Sequence, residues 1–456
     1  MLTSRFTARI AVLARPLWYD PPLALLCLIV LTLPLEFLRP WFPTGSLDVA
    51  RIGMLFGIGW LAWRAAIDRG SFLRLPAALV IATVAIIAVE AASFAMTRWP
   101  SAPKSLLAVV AYAAFAAFVA TSVRNRNSLL ILTAALVLSG ALEGLIAIVE
   151  QIVDVHLFAD YPWFWLDRRS GTFWDPNIAA RMLLVTLTAA LGLEIHGRVG
   201  SGRGRLLILV AIALMTFGIL LTLSRTLWLL LVPVVIVATL AALVRRTGRL
   251  APLVVVGTFA IGLVIYPLAL QRTGEVPPPD PRSIVAPGPP TTDTTTFVDP
   301  ILNALPIDGT RRYLARAGIA MFEDHLLVGV GLGGFQPMIL GPYRPLVPAA
   351  PAVEIVSLVH TDLVRVAAEE GVLGLAAWLS LFVAIALVAR RAIRAAGRAE
   401  RAAVWIAISA IGLITLASQT EGRFYADPYL WLFIGLLAAL ATRSADWSRG
   451  GRVGLD

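Results

Sequence analysis

The sequence predicts an all-α, polytopic membrane protein of about twelve transmembrane helices with one large outer loop. Three observations lead there. Apolar residues make up 59% of the 456-residue chain and charged residues only 14%, for a mean hydropathy of +0.82. The apolar residues come in blocks close to the ~20 residues that a helix needs to span a bilayer. Arginines gather in every second connection between those blocks, the pattern left by charges retained on the cytoplasmic side during insertion.

In chain order the blocks place helices at about 21–38, 49–67, 75–96, 104–123, 128–153, 176–196, 206–223, 226–244, 252–270, 362–389, 403–419 and 427–442. Arg5, Arg9 and Arg15 precede the first, whose apolar run Leu23–Leu35 ends without a small-residue cleavage site, so an uncleaved span is expected. Further basic clusters begin at Arg64, Arg124, Arg198, Arg245, Arg390 and Arg443, which puts both termini and these loops in the cytoplasm. The net charge of +10 is therefore an orientation signal, and no nucleic-acid partner is expected. Cys27 is single and no Cys/His pair has metal-ligand spacing, so neither an intramolecular disulfide nor a structural metal is expected.

The chain divides into membrane helices over 1–270, an outer loop over 271–361, and membrane helices with a cytoplasmic tail over 362–456. Within the loop, 276–305 is rich in Pro and Thr and reads as irregular. The stretch 308–327 reads as a helix, with Tyr313, Ala317, Ala320, Met321 and Leu327 at roughly helical spacing, followed by the turn GVGLGGF. No strand precedes that turn, so it is not a dinucleotide fingerprint; its glycines are expected to let backbone pack closely against the membrane helices.

Charges in or near the outer half of the membrane are few enough to weigh singly. Arg225, in LTLSRTLW, occupies a very short outer connection and reads as a contact to a ligand phosphate or as a lipid-headgroup anchor. Arg311 and Arg312 open the loop helix, where the helix dipole favours negative charge, which points to an anionic ligand. Arg181 in the sixth span is expected to neutralise Glu143 and Glu150 of the fifth. Glu421 and Arg423 form either a rim ion pair or part of a site lining; Glu90 has no assigned partner, and His325 reads as a surface residue. His360 sits where the outer loop re-enters the membrane, in HTDLVRVAAEEGVLG, with Glu369 and Glu370 two to three turns on. Taken alone, it reads equally as a capping residue or a site residue.

Those residues carry a family pattern. His360, Glu369, Gly371 and Gly374, preceded by Arg311 ahead of RAGIAMFEDHLLVGVGLGGF, resemble the signature around the large periplasmic loop of the O-antigen ligase and polymerase superfamily. Upstream, RSGTFWDPNIAA (Arg169–Ala180) resembles its Gly-x-Phe and Pro-Asn element, and LTLSRTLW its Ser-Arg element. The four motifs stand in the family's order over residues 165–380. Leu326 and Thr361 depart from it, where the family often has Pro and Asn.

The resemblance implies a GT-C-like helical fold in the bacterial inner membrane, with its active site on the periplasmic face. It implies an inverting, metal-independent glycosyltransferase that needs no cofactor. The donor would be a glycan on undecaprenyl pyrophosphate, and the acceptor a sugar hydroxyl of the lipid A core or of another lipid-linked glycan, with membrane lipids as surroundings. Arg225 and Arg311 or Arg312 would hold the pyrophosphate, and His360 would act as general base or hydrogen-bond the pyrophosphate. Glu369 would orient His360 or serve the structure, with Arg181 and Arg423 in support. The alternatives are a polysaccharide polymerase or a protein O-oligosaccharyltransferase of the same superfamily, and a polysaccharide transporter or flippase, whose polar site would lie nearer the midplane.

Overall fold

The computed structural model describes residues 19–35, 48–68, 73–153, 155, 168–196, 202–273, 309–347, 361–397, 400–421 and 426–450, with backbone alone at 266–273, 309–311, 421 and 444–450. The regular structure of the described residues is all helical, with no strand among them. The helices are α1 (Pro21–Thr32), α2 (Val49–Ile67), α3 (Ala77–Thr97), α4 (Ala102–Ser122), α5 (Arg126–Val153), α6 (Pro176–Ile195) and α7 (Arg203–Leu221). There follow α8 (Arg225–Arg245), α9 (Leu250–Thr273), α10 (Gly309–Asp324), α11 (Phe335–Leu340), α12 (Asp362–Ala395), α13 (Arg401–Glu421) and α14 (Pro428–Gly450). Each expected span coincides with one of α1–α9 or α12–α14. Eight helices, α3–α8, α12 and α13, are long and apolar enough to cross a membrane, and α1, α9 and α14 contain shorter apolar stretches.

Local chemistry sets the helix ends. Asp20, Asp175 and Asp427 each precede a proline at the first helical position and accept a backbone N–H from the first turn: Leu23 at 3.4 Å, Asn177 at 2.7 Å and Tyr429 at 2.8 Å. The first span is shorter than expected. Leu33 still has helical backbone and donates to the Ile29 carbonyl, but Pro34 has no N–H to carry the ladder on, so α1 stops at Thr32. α12 is longer than expected and carries Arg390, Arg391 and Arg394 on its last turns, where cations favour the helix C-terminus.

α6 is the most deeply buried of the eight long apolar helices and packs against α5, α7, α8 and α13. Apolar burial gives no driving force between helices in lipid, so close approach does the work. Gly144 of α5 and Gly218 of α7 meet backbone to backbone; a Cβ at Gly218 would stand 2.9 Å from the Gly144 Cα. On the other side of the bundle, α12 packs against α3, α14 and α10.

The loop helix forms over Gly309–Asp324 and has a small core of its own. Leu314, Ala317, Met321, Phe335, Ile339 and Ala368 of α12 make up its centre. The buried stripe is rotated slightly from the expected one: Leu314 leads it, Tyr313 is half-buried and Leu327 is exposed. The Tyr343 hydroxyl donates to Asp324 at 2.7 Å and ties the end of α10 to the segment after α11. Burial, and next the bond to Asp324, push the Tyr343 phenol well above its ordinary range.

α12 is broken at Gly371, whose φ of 63° and ψ of −155° are non-helical. The break frees backbone groups inside the bundle, and the segment after α10 satisfies them. Val372 N–H donates to the Leu326 carbonyl at 2.8 Å and Leu373 N–H to the Leu327 carbonyl at 3.2 Å, while the Ala368 and Glu369 carbonyls accept from Val330 and Gly331 at 2.8 and 2.9 Å. A Cβ at Gly371 would lie 2.6 Å from the Leu326 and Leu327 carbonyl oxygens. Gly371→Ala is therefore expected to undock this segment, adding backbone strain of about 1–3 kcal/mol to the clash. Limited proteolysis between 326 and 335 should speed up strongly in that variant; unchanged cleavage would contradict the packing described.

Candidate active site

The four sequence motifs meet in two pairs at the end of the bundle where α10 lies. The first pair is the GVGLGGF turn and the start of α12. Beyond the exchange across Gly371, the Phe335 N–H donates to Glu369 Oε1 at 3.1 Å, so Glu369 holds the turn that opens α11. From the opposite side Ser93 Oγ of α3 accepts from Leu332 N–H at 2.7 Å, the Trp99 indole donates to the Val330 carbonyl at 2.9 Å, and Ser101 Oγ donates to the Gly333 carbonyl at 3.0 Å. Gly331 presses on Thr97 and Gly333 on Ser101, with positive φ of 95° and 76°. The glycines serve close packing against membrane helices, as the sequence suggested.

The second pair is RSGTF and the Ser-Arg turn between α7 and α8. Arg169 N–H donates to the Leu221 carbonyl at 3.1 Å and Arg168 Nε to the Thr222 carbonyl at 2.8 Å. Carboxylates of α5 clamp the same loop: Gly171 N–H donates to Glu150 Oε2 at 2.7 Å, while the Thr172 N–H and hydroxyl donate to Glu143 at 2.9 and 2.6 Å. Thr172 also reaches the Pro34 carbonyl beyond α1 at 2.6 Å. The loop so held abuts Leu223, whose φ of 51° puts a branched residue in the left-handed region. Ser224 follows, its hydroxyl buried without a partner, and Arg225 opens α8 with an exposed side chain. Strain of this kind persists where surroundings fix the backbone, and here it aims Arg225.

Arg225 and Arg311 both stand in the first turn of a helix that has no acidic residue there. A helix N-terminus already carries about +0.5 of a charge, so an arginine reinforces the positive pole where an acid would cancel it. Such an end suits an anion. Arg312, beside Arg311 on α10, is half-buried and engaged in a contact of its own. For Arg311 the backbone alone is described. His360 and Arg423 lie outside the described residues, as does His156. The residue after His360 is nevertheless placed: Thr361 donates to the Gln419 carbonyl at 3.0 Å, which moors the start of α12 to the end of α13.

Arg181 has a partner from a distant part of the chain. Its Nη2 lies 2.9 Å from Asp427 Oδ2, and both side chains are almost fully buried. Asp427 spends its other oxygen on capping α14. Breaking a buried pair strands a charge and typically costs about 3–5 kcal/mol. Arg181→Ala should thus destabilise the bundle by that order, and the added Asp427→Asn change should restore part of it. Thermal unfolding in detergent checks this; additive losses would mean the pair is not coupled.

Sequence reading missed Asp427, Arg168 and Arg169. Asp427 carried a local signal, since Asp-Pro before an apolar block marks a helix start, but its ionic role had none. Arg169 is fully buried with Nε donating to Gln151 at 2.8 Å. His325 is exposed, as expected. His196 ends α6 with Nδ1 2.9 Å from the Gly192 carbonyl.

These elements coincide with a known family. The family model described as O-antigen ligase matches residues 210–379, from α7 through the loop to the middle of α12. Over that stretch the chain is similar to the O-antigen ligase family, in keeping with a multi-pass membrane enzyme of the ligase or polymerase type. The matched stretch includes Arg225, Arg311, Arg312, His360 and Glu369; RSGTF, Arg181 and Arg423 fall outside it. No curated protein sequence matches the chain.

Proposed function

We propose that this protein transfers a glycan from undecaprenyl pyrophosphate to a sugar hydroxyl of the lipid A core, at the periplasmic face of the inner membrane. The observation that carries the reading is the family match over residues 210–379, together with arginines at two acid-free helix N-termini inside it. In the reaction the acceptor oxygen attacks the anomeric carbon from the face opposite the leaving group, and the bond from that carbon to the phosphate oxygen breaks with inversion. Negative charge grows on the pyrophosphate, where Arg225 and Arg311, assisted by Arg312, stabilise it without being reorganised. His360 takes the hydroxyl proton. Glu369 acts by fixing the turn before α11 and the start of α12, so it is a positioning residue.

This reading has both termini in the cytoplasm and twelve helices across the membrane; the arginine pattern and a helix at every expected span support it. A flippase is disfavoured: the break in α12, which in a transporter would line a substrate path, is filled by backbone of the 326–331 segment. The test is reconstitution of the purified protein with an undecaprenyl pyrophosphate-linked glycan and two acceptors, lipid A core and a second lipid-linked glycan, with and without a chelator. Capped lipid A core, formed equally with chelator, is expected. Elongated lipid-linked glycan would make the protein a polymerase, and loss of transfer on chelation, restored by metal, would contradict the mechanism.

A further inference from the structure

Two buried carboxyl groups in the seam between α3 and α12 are left without partners by everything described so far. Glu90 of α3 is 1% exposed and Glu370 of α12 is 2% exposed; Oε2 of each makes no hydrogen bond. They lie within electrostatic reach of one another. Glu370 directly precedes the break at Gly371, and its carboxyl folds over Gly374, where a Cβ would stand 2.8 Å from Oε2.

The neighbours do not neutralise them. Among the described residues, Arg365 is the guanidinium that acts on the pair, and its Nε is 3.3 Å from Asp362 and its Nη1 3.8 Å from Glu369. Glu369 in turn accepts from Phe335 N–H. The Trp378 indole offers Glu370 a hydrogen bond but brings no charge. α3 has no ionisable residue besides Glu90, and the segment Leu326–Leu340 has none. Of the other helices packed here, α4 carries Lys104 and Tyr112, α10 carries Arg311, Arg312, Tyr313, Arg316, Glu323 and Asp324, and α13 and α14 carry charge only towards their ends. Among the described residues, four buried carboxyls therefore gather about Arg365. An unpaired carboxylate in such a place is far costlier than a protonated one, and two together are costlier still.

We propose that Glu90 and Glu370 form a proton-binding site that holds one proton between α3 and α12 and thereby keeps the 326–335 segment docked on the broken helix. That segment bridges the same two helices, through Ser93 on α3 and the carbonyls of Ala368 and Glu369 on α12. With the proton gone, both carboxyls are charged, the seam repels and the bridge opens. The docked state holds one more proton than the opened one, so docking is favoured at low pH and weakens as pH rises, by up to tenfold per pH unit.

Two measurements on the full chain in lipid nanodiscs test this without any glycan. Infrared spectra at neutral pH should show a protonated-carboxyl band, shifted in heavy water, that is lost in both Glu90→Gln and Glu370→Gln. Hydrogen exchange, corrected for its intrinsic pH dependence, should show the amides of Val330, Gly331, Leu332 and Phe335 opening more than tenfold faster at high pH in the wild type, and far less so in Glu370→Gln. A band untouched by either substitution, or opening independent of pH in the wild type, overturns the proposal. Opening that follows sodium concentration at fixed pH also overturns it, since the site would then hold a cation other than the proton.

Discussion

Replacing His360 by alanine is expected to lower glycan transfer by about 10²–10⁴-fold, the usual contribution of a positioned general base, while membrane insertion and thermal stability stay as in the wild type. The size follows from the chemistry. A sugar hydroxyl is a poor nucleophile until its proton has somewhere to go, and His360 is the one histidine of the chain at the re-entry of the loop. Its neighbour Thr361 is fixed to Gln419, so the base would be carried on an anchored helix start. The sign of the pH response separates its two roles. A base must be neutral, so transfer should fall as pH is lowered; an imidazolium that holds pyrophosphate would make it rise. Transfer rates of the wild type and of purified His360→Ala across a pH series decide the matter, and near-wild-type rates in the variant would remove His360 from the mechanism.

Arg225→Ala and Arg311→Ala are each expected to reduce turnover by about 10²–10³-fold, the typical effect of removing one preorganised donor from developing charge. Lysine at either position should recover only part of this, because an ammonium lacks the fork that meets two phosphate oxygens at once. Arg312→Ala should cost less than Arg311→Ala if Arg311 is the one that reaches the pyrophosphate. Arg225 offers the cleaner experiment. Its side chain is exposed and its backbone is set by the RSGTF loop, so its removal leaves the packing intact. Donor affinity should weaken along with turnover, which a lipid-headgroup anchor would not produce.

The membrane helices were legible because apolar run length and arginine distribution are strong, local signals. The loop helix was legible to within a few residues, and so was the packing role of its glycine turn. Contacts between distant positions were not. Nothing near Arg181 in the chain pointed to Asp427, and nothing pointed to the hold of Glu143 and Glu150 on Gly171 and Thr172. The break in α12 was hidden too. VRVAAEEGVLGLAAWL reads as unbroken helix, and Gly371 departs from it only because the Leu326 and Leu327 carbonyls arrive from elsewhere. Of the residues on which the chemistry is proposed to depend, Arg225 and Glu369 are described in full, Arg311 by its backbone, and His360 and Arg423 lie outside the described residues.

The central claim is that the chain makes a glycosidic bond at the expense of a pyrophosphate linkage. Its most direct test is to follow free undecaprenyl pyrophosphate and glycan-linked product together, with purified protein in liposomes. One carrier released for each bond formed, with the anomeric configuration inverted, is the predicted result. Movement of intact donor between leaflets without carrier release would contradict it.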